Sequence, residues 1–394
     1  MSKKIDELLR SEVQQFLRSN EQADEAALVL KYQHVLGVPV AWIAEQLSGR
    51  RKAKQKLPSW YRTESVIYPP PLSLAQCSSE ATAQFKAGIL ADLPLVRGVD
   101  LTGGFGVDSF FISQRCSDFT YVEPSGALFE IAMHNHHRLG APGIKGAQQF
   151  AGDFLRSSGE PFDLIFLDPS RRKKGRKIFQ LADGEPSVPN LLHEIFNHAN
   201  MLLLKTSPML DLRQGLSELR HVETIFVVSV DNECRELLFL CRKDYTSDPK
   251  IHCVNLSVNR YPGEALVFHF AEEKKATPTF SDPLNYVYEP NASILKAGAF
   301  KLVCERYRVS KLHPHTHFYT SAELLGDFPG RIFRIEGPWS PGRDSRQANI
   351  LSRNYPLSSD QLKVKLKITD GGERYLLACS GIKHKFLLDA RRIK

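Results

Sequence analysis

A glycine-rich turn between an apolar strand and an apolar helix is the feature of this sequence that most restricts its fold. Residues 98–106 read Gly-Val-Asp-Leu-Thr-Gly-Gly-Phe-Gly, and an apolar stretch, residues 107–112, follows them. A second strand at 119–122 ends on Glu123, roughly twenty residues further on, where an acidic side chain can meet the two hydroxyls of a ribose. The pattern predicts a nucleotide-binding turn in a parallel sheet, although tight packing of a strand against a helix would also favour glycine.

The spacing of the glycines separates two classes of cofactor. A dinucleotide site places a third glycine three residues after Gly106, where this sequence has Ser109. Asp100, Gly104 and Gly106 instead match D-x-x-x-G-x-G, which resembles motif I of the class I S-adenosylmethionine-dependent methyltransferases. The resemblance implies that S-adenosylmethionine is the cofactor. It also implies a set of cofactor-binding residues, namely Asp100, Thr102, Gly104, Gly106, Glu123 and, after the third strand, Asp153.

Strands and helices alternate between residues 95 and 242, which predicts a parallel sheet with helices on both faces. The interval between the last two strands, residues 231–235, is too short for a crossover helix, so those strands should form an antiparallel hairpin. Six parallel strands with an antiparallel seventh form the Rossmann-like sheet of class I methyltransferases, an α/β fold. The predicted strands are residues 96–101, 119–122, 148–151, 162–167, 201–205, 222–230 and 237–241.

The fourth of these strands ends in Asp168 and Pro169. The carboxyl ends of parallel strands meet at one edge of the sheet, so Asp168 should face the same crevice as Gly104 and Glu123. There its carboxylate can accept a hydrogen bond from an amino group and align the nitrogen lone pair with a methyl donor. A simple turn that caps the strand is the structural alternative. Lys205 ends the fifth strand and should also face the crevice, either to bind substrate or to form an ion pair.

Residues 168–172 resemble motif IV, D/N-P-P-aromatic, of amino-group methyltransferases that act on nucleic acids. The resemblance implies that Asp168 and Pro169 are catalytic. The sequence departs from the motif because Ser170 replaces the second proline and Arg171 replaces the aromatic residue. Arginine can stack on a base or bind a phosphate, so we expect Ser170, Arg171 and Arg172 to bind substrate. Six of the seven residues 171–177 are cationic, which is typical of a phosphate-binding loop or of a solvated surface loop.

Composition narrows the class of protein further. The formal net charge of +8 over 394 residues fits an RNA partner or a merely basic surface. The seven cysteines contain no C-x-x-C pair and predict reduced thiols. No signal peptide or membrane-length apolar run occurs, so we expect a cytoplasmic protein without a membrane partner. Three alternating histidines, His313, His315 and His317, lack neighbouring carboxylates or cysteines in the sequence, and no metal is expected.

Apolar stripes predict helices in the first fifty residues, and residues 57–61 and 68–71 are predicted to form a stiff linker. Six longer stretches together resemble one bacterial group, the class I methyltransferases with a C-terminal THUMP-like domain: residues 74–83, 100–108, 168–177, 205–211, 288–297 and 313–334. With the stripes and the strand pattern, the resemblance implies four regions, namely a helical region at 1–60, a methyltransferase domain at 61–280, a ferredoxin-like segment at 281–325 and a THUMP-like domain at 326–394.

THUMP domains proper bind RNA, notably tRNA. The resemblance therefore implies an S-adenosylmethionine-dependent methyltransferase that acts on a nitrogen of tRNA or rRNA. A non-catalytic RNA-binding protein built on a methyltransferase-like scaffold is the alternative, because Ser170 and Arg171 depart from motif IV. A small-molecule methyltransferase is a third hypothesis. It is less favoured, because such an enzyme would not need the basic loop or the C-terminal units.

Overall fold

The computed structural model describes residues 3–170, 172–173, 176–177, 180–257, 260–340 and 347–394. The predicted substrate-binding residue Arg171 lies outside the described residues, and Arg172 is described by its backbone alone. Two compact units make up the chain. Unit 1 comprises Met1–Glu223 and Leu238–Thr246, and unit 2 comprises Thr224–Leu237 and Ser247–Lys394.

Unit 1 begins with short helices, as the apolar stripes predict, and with one small hairpin that they do not predict. Within the described residues these elements are α1 Lys3–Leu8, α2 Ser11–Ser19, α3 Glu25–Lys31, β1 His34–Val35, β2 Val38–Pro39, α4 Val40–Lys56, α5 Pro58–Arg62, α6 Pro71–Gln76 and α7 Glu80–Ile89. The prediction of a linker at 57–61 is wrong, because Pro58 starts α5 and Trp60 is fully buried in the core of the unit.

Strands and helices then alternate through the rest of unit 1 and into the hairpin. They are β3 Arg97–Asp100, α8 Val107–Ser113, β4 Asp118–Val122, α9 Gly126–Arg138, β5 Lys145–Ala147, α10 Ala151–Ser157, β6 Phe162–Leu167, β7 Arg172–Lys173, β8 Arg176–Lys177, α11 Val188–His198, β9 Ala199–Thr206, α12 Leu212–Glu218, β10 Val222–Val230 and β11 Glu233–Arg242. A short 3₁₀ turn, Leu181–Asp183, precedes α11.

Five parallel strands of unit 1 lie in the order β5-β4-β3-β6-β9. Asp100 is in register with Tyr121 of β4 and with Phe166 of β6, so these strands end at the same edge of the sheet. The third strand differs from its prediction at 148–151. Strand β5 ends at Ala147, where the N–H of Gln149 donates a hydrogen bond to the Ala147 carbonyl oxygen. Helix α10 already begins at Ala151.

The predicted hairpin is present, and its strands β10 and β11 are neighbours in the sheet. Its turn consists of Asp231 and Asn232, whose φ angles of 48° and 65° are those of a tight two-residue connection. Two further strands, β12 Lys250–Ser257 and β13 Arg260–His269, extend the sheet, and α13 Phe270–Lys275 follows. The class I methyltransferase fold is therefore confirmed, with nine strands in the described part of this sheet in place of seven.

A second sheet, in the order β15-β16-β14-β17-β20-β19-β18, forms the remainder of unit 2. Strand β17 pairs with β14 on one side and with β20 on the other, so one sheet spans both predicted C-terminal regions. The predicted boundary at 325–326 stays a prediction. The elements are β14 Tyr286–Pro290, α14 Ala292–Ala297, α15 Leu302–Tyr307, β15 Ser310–His313, β16 Thr316–Ser321, β17 Gly330–Pro338, β18 Asn349–Arg353, α16 Ser359–Leu366, β19 Arg374–Ser380 and β20 Lys385–Arg392.

Candidate active site

Strand β3 ends in a carboxylate that fixes the turn after it. Asp100 is buried, and its Oδ1 accepts a hydrogen bond of 2.9 Å from the peptide N–H of Thr102. Its Oδ2 accepts from the hydroxyl of Ser109 on α8. Burial is the main reason that the pKa of Asp100 is raised to about 7, and the nearby carboxylates of Asp108 and Asp168 act in the same direction. Asp100 thus joins the strand, the turn and the helix.

Two glycines of the turn have the left-handed conformation. The φ angle is +54° at Gly104 and +81° at Gly106. A Cβ added to Gly104 would meet nothing closer than the Thr102 carbonyl oxygen at 3.8 Å, so a ligand can approach the backbone there. A Cβ on Gly106 would instead lie 2.5 Å from Nε2 of His136, which accounts for glycine by packing alone.

Glu123 follows β4 and reaches back to the same turn. Its Oε2 accepts a hydrogen bond of 2.9 Å from the N–H of Gly104, and its Oε1 accepts one of 2.8 Å from the N–H of Ser125. The hydroxyl of Tyr121 donates to the Gly104 carbonyl oxygen at 2.6 Å, so the end of β4 holds both peptide groups of Gly104. Each carboxylate oxygen has a second lone pair, which leaves acceptor capacity for a ligand hydroxyl.

Asp168 lies at the end of β6, next to the glycine turn. Its peptide N–H donates to Oγ1 of Thr102 at 2.6 Å, and its Oδ2 forms an ion pair with the ammonium of Lys205. Lys205 is only 2% exposed. Among the described residues, no donor contacts the other carboxylate oxygen of Asp168, Oδ1, and the side chain is partly exposed. Asp168 is therefore held beside the glycine turn at two points, its peptide N–H and its Oδ2.

A second pair of buried charged residues, Asp108 and Lys86, lies next to Lys205. The Nζ atom of Lys205 lies 3.8 Å from Oδ2 of Asp108, and Oδ1 of Asp108 lies 3.2 Å from Nζ of Lys86, which is 0% exposed. The hydroxyl of Ser78 donates to Oδ2 of Asp108 at 2.6 Å. Burial on its own would raise the pKa of Asp108, but Lys86 and Lys205 outweigh it and hold the pKa below its usual range.

The other predicted site residues take different positions. Pro169 is buried, and the exposed Ser170 donates its peptide N–H to the Glu185 carbonyl oxygen at 2.8 Å. Asp153 lies in the first turn of α10 with its side chain 60% exposed and paired with Arg156 at 2.6 Å. Their proposed contacts with substrate or cofactor stay predictions.

Asp108 and Lys86 are two residues of this cluster that no sequence motif predicts. Lys86 falls three residues after Ala83 and four before Leu90, both fully buried, so a lysine within the apolar stripe of α7 was the available signal. Ser79 caps the helix by accepting from the N–H of Thr82, whereas Ser78 bonds to Asp108.

Two structural findings concern metals and membranes. Within the described ranges, no three His, Cys, Asp or Glu side chains come together as potential metal ligands. No helix in that part of the chain combines the length and the apolar character needed to cross a membrane.

A sheet with this strand order, a glycine turn after its first strand and a carboxylate after its fourth defines a class I methyltransferase fold. Known proteins agree with that class. The solved structure of a candidate methyltransferase from Porphyromonas gingivalis W83 is 30% identical, covers 99% of this chain and 99% of that chain, and superposes with a TM-score of 0.85. Residues 286–329 match a ferredoxin-like domain family, and residues 338–388 match a THUMP domain-like family.

This chain belongs to the family of class I methyltransferases that carry a C-terminal THUMP-like domain. Weaker likenesses have TM-scores too low to carry an argument. An O-methyltransferase from Bacillus cereus in complex with SAH has 13% identity, a TM-score of 0.35, and coverage of 55% of this chain and 97% of that chain. An rRNA methylase from Streptococcus thermophilus has 14% identity, a TM-score of 0.31, and coverage of 41% of this chain and 93% of that chain. No curated protein matches the sequence significantly.

Proposed function

We propose that this protein is an S-adenosylmethionine-dependent methyltransferase that modifies a nitrogen atom of RNA. The observation that carries the proposal is the position of Asp168, whose peptide N–H bonds to Thr102 of the glycine turn. Its Oδ2 is fixed by Lys205, and its Oδ1 has no donor among the described residues. A methyl-accepting amino group can donate to that oxygen.

The residues of the turn fit the proposed cofactor. The space beside Gly104 that a Cβ would fill is open, and Glu123 keeps acceptor capacity for the two hydroxyls of a ribose. When bound, S-adenosylmethionine supplies a methyl group on a positively charged sulfur. In this proposal Gly104 allows the ligand to approach the backbone, and Gly106 gives the turn its shape where a Cβ would meet His136. Asp100 and Thr102 fix the turn, and Asp153 accepts from the adenine amine.

Asp168 and Pro169 act on the acceptor nitrogen. The carboxylate oxygen Oδ1 accepts a hydrogen bond from the amino group and orients its lone pair toward the methyl group. Buried Pro169 stiffens the turn that carries the carboxylate. Orientation of two reactants in this way accounts for up to roughly 7–11 kcal/mol of a reaction barrier in well-aligned systems.

Charge and domain content support RNA as the substrate. The net charge is +8, six of the seven residues 171–177 are cationic, and the chain carries a THUMP-like domain. In this proposal Ser170, Arg171, Arg172 and Lys205 belong to the substrate side of the site, and the RNA is a cytoplasmic tRNA or rRNA.

Transfer of labelled methyl groups to bulk tRNA and rRNA tests this function, with wild type compared to Asp168→Ala and Asp168→Asn. We expect wild-type incorporation and a loss of about 100-fold or more in both variants, as for removal of a positioned polar catalytic group. Calorimetric titration of S-adenosylmethionine should give an unchanged affinity in the variants.

The exposed Asp92 provides a matched control, and Asp92→Ala should behave as wild type. Wild-type protein that binds the cofactor but methylates no RNA would support the scaffold hypothesis instead. RNA-independent turnover on metabolites would indicate a small-molecule methyltransferase.

A further inference from the structure

The buried pair Asp108 and Lys86 has no part in the chemistry proposed above. Lys86 on α7 is 0% exposed, and its Nζ lies 3.2 Å from Oδ1 of Asp108 on α8. Ser78 also donates to Asp108, at 2.6 Å. A charged pair at this depth is weak evidence for a purely stabilising role, because desolvation offsets most of the attraction between its members.

The pair is connected to Asp168 through one side chain. The ammonium of Lys205 contacts Asp168 directly and lies 3.8 Å from Oδ2 of Asp108. Positive and negative groups therefore alternate in the order Lys86, Asp108, Lys205 and Asp168. These four side chains carry two positive and two negative charges, and each of the two inner groups lies between two groups of opposite charge. Asp100 is a further buried carboxylate nearby, and its pKa is raised to about 7.

We propose that Asp108 and Lys86 are positioning residues for methyl transfer, which hold the ammonium of Lys205 on Oδ2 of Asp168 and so keep Oδ1 available to the acceptor nitrogen. This inference rests on the function proposed above. Lys205 then acts through Asp168, because its ammonium is buried between two carboxylates.

The charges of these four side chains make the proposal specific. Neutralising Asp108 alone leaves two cations and one carboxylate among the four. Neutralising Lys86 alone leaves Asp108 in competition with Asp168 for the ammonium of Lys205. Either change displaces Lys205 and misplaces Asp168. Neutralising both residues removes one charge of each sign and leaves a balanced pair of Lys205 and Asp168.

The first test measures single-turnover methyl transfer to RNA in Asp108→Asn, Lys86→Met and the double variant. Each single variant should lower the transfer rate constant by about 10-fold or more, while the KM for RNA and the affinity for S-adenosylmethionine change by less than about 3-fold. The double variant should regain most of the wild-type rate. Wild-type rates in the single variants would overturn the positioning role. A double variant whose rate is lowered by the product of the two single-variant decreases would also overturn it.

Glu45→Gln is a matched control, because Glu45 forms an ion pair with Lys4 and with none of the four residues above. It should change the melting temperature without changing the rate of transfer.

The second test needs no activity. Lys86→Met should lower the melting temperature of the wild type, because it leaves an excess carboxylate. In Asp168→Asn the other three side chains carry a net charge of +1, and Lys86→Met brings it to zero. In that background Lys86→Met should therefore leave the melting temperature unchanged or raise it. An equal decrease in both backgrounds would overturn the linkage. Wild type that methylates no RNA would overturn the proposed function and with it the catalytic role, while this cycle still decides whether the charges are linked.

Discussion

The peptide N–H of Gly104 donates a hydrogen bond of 2.9 Å to Oε2 of Glu123, so the turn after β3 is tied directly to the end of β4. The second oxygen of Glu123 accepts from Ser125 at 2.8 Å, where α9 begins. One carboxylate therefore fixes the glycine turn and the start of the next helix. The same residue is predicted to bind the ribose of the cofactor, which links the stability of the turn to cofactor affinity.

Glu123→Gln should weaken both properties. The side-chain amide has one acceptor oxygen in place of two, so one of the two peptide N–H groups, of Gly104 or Ser125, loses its partner, at a cost of about 0.5–1.5 kcal/mol. Urea denaturation measures that loss, and calorimetry should show an affinity for S-adenosylmethionine at least about 10-fold weaker if the hydroxyls bind here. The exposed Glu160 is the control. A Glu123→Gln protein with wild-type affinity would show that the ribose lies elsewhere.

Alanine at the two left-handed glycines should have separable effects. At Gly104 (φ +54°) the conformation costs an alanine about 1–2 kcal/mol, but its methyl group enters open space, so the protein should fold and bind S-adenosylmethionine weakly. At Gly106 the methyl group also meets buried His136, so Gly106→Ala should show the larger decrease in melting temperature. Unchanged cofactor affinity in Gly104→Ala would place the ligand away from this turn.

Much of the parallel sheet could be predicted from local sequence. Strands β6 and β10 have the predicted bounds, 162–167 and 222–230, because continuous apolar runs flanked by polar residues identify buried strands. The proximity of Asp168 to the glycine turn followed from parallel topology alone. The strand predicted at 148–151 was displaced because a polar stretch before a helix has no period that distinguishes its end from a strand.

Long-range contacts account for the rest. Lys86 and Asp108 are 22 positions apart, on different helices, and neither position alone reveals a buried partner. Trp60 was assigned to a linker because neighbouring prolines indicate extended chain, whereas its burial depends on phenylalanines about fifty residues later. Such pairings arise from tertiary packing, which periodicity within one element cannot encode.

Acidification should destabilise the protein through His136. Burial lowers the pKa of His136 to about 4, despite its bond to the Gly106 carbonyl oxygen, while the unfolded chain has a pKa near 6.5. The unfolded state therefore binds a proton first, and the contribution of His136 to stability falls as the pH decreases from 6.5 toward 4, by about 2.5 kcal/mol at pH 4.5. Asp100, whose pKa is raised to about 7, contributes in the opposite direction, because there the folded state binds the proton first. The stability of the wild type relative to His136→Gln, measured by urea denaturation, should therefore fall over this range. Parallel curves for the two proteins would contradict the assignment.

Trp60 should couple the N-terminal helices to the cofactor turn. Its ring is fully buried, with centroids 6.4 Å from Phe105 and 5.2 Å from Phe110, and Phe105 lies between the two left-handed glycines. Trp60→Ala should lower the free energy of unfolding by about 3–5 kcal/mol, as expected for a buried aromatic residue. Because the cavity lies against Phe105, S-adenosylmethionine should also bind more weakly at temperatures where the variant is folded. Exposed Tyr32→Ala is the control. A destabilised Trp60→Ala with wild-type affinity would show that Phe105 holds its position without Trp60, and the coupling would then be absent.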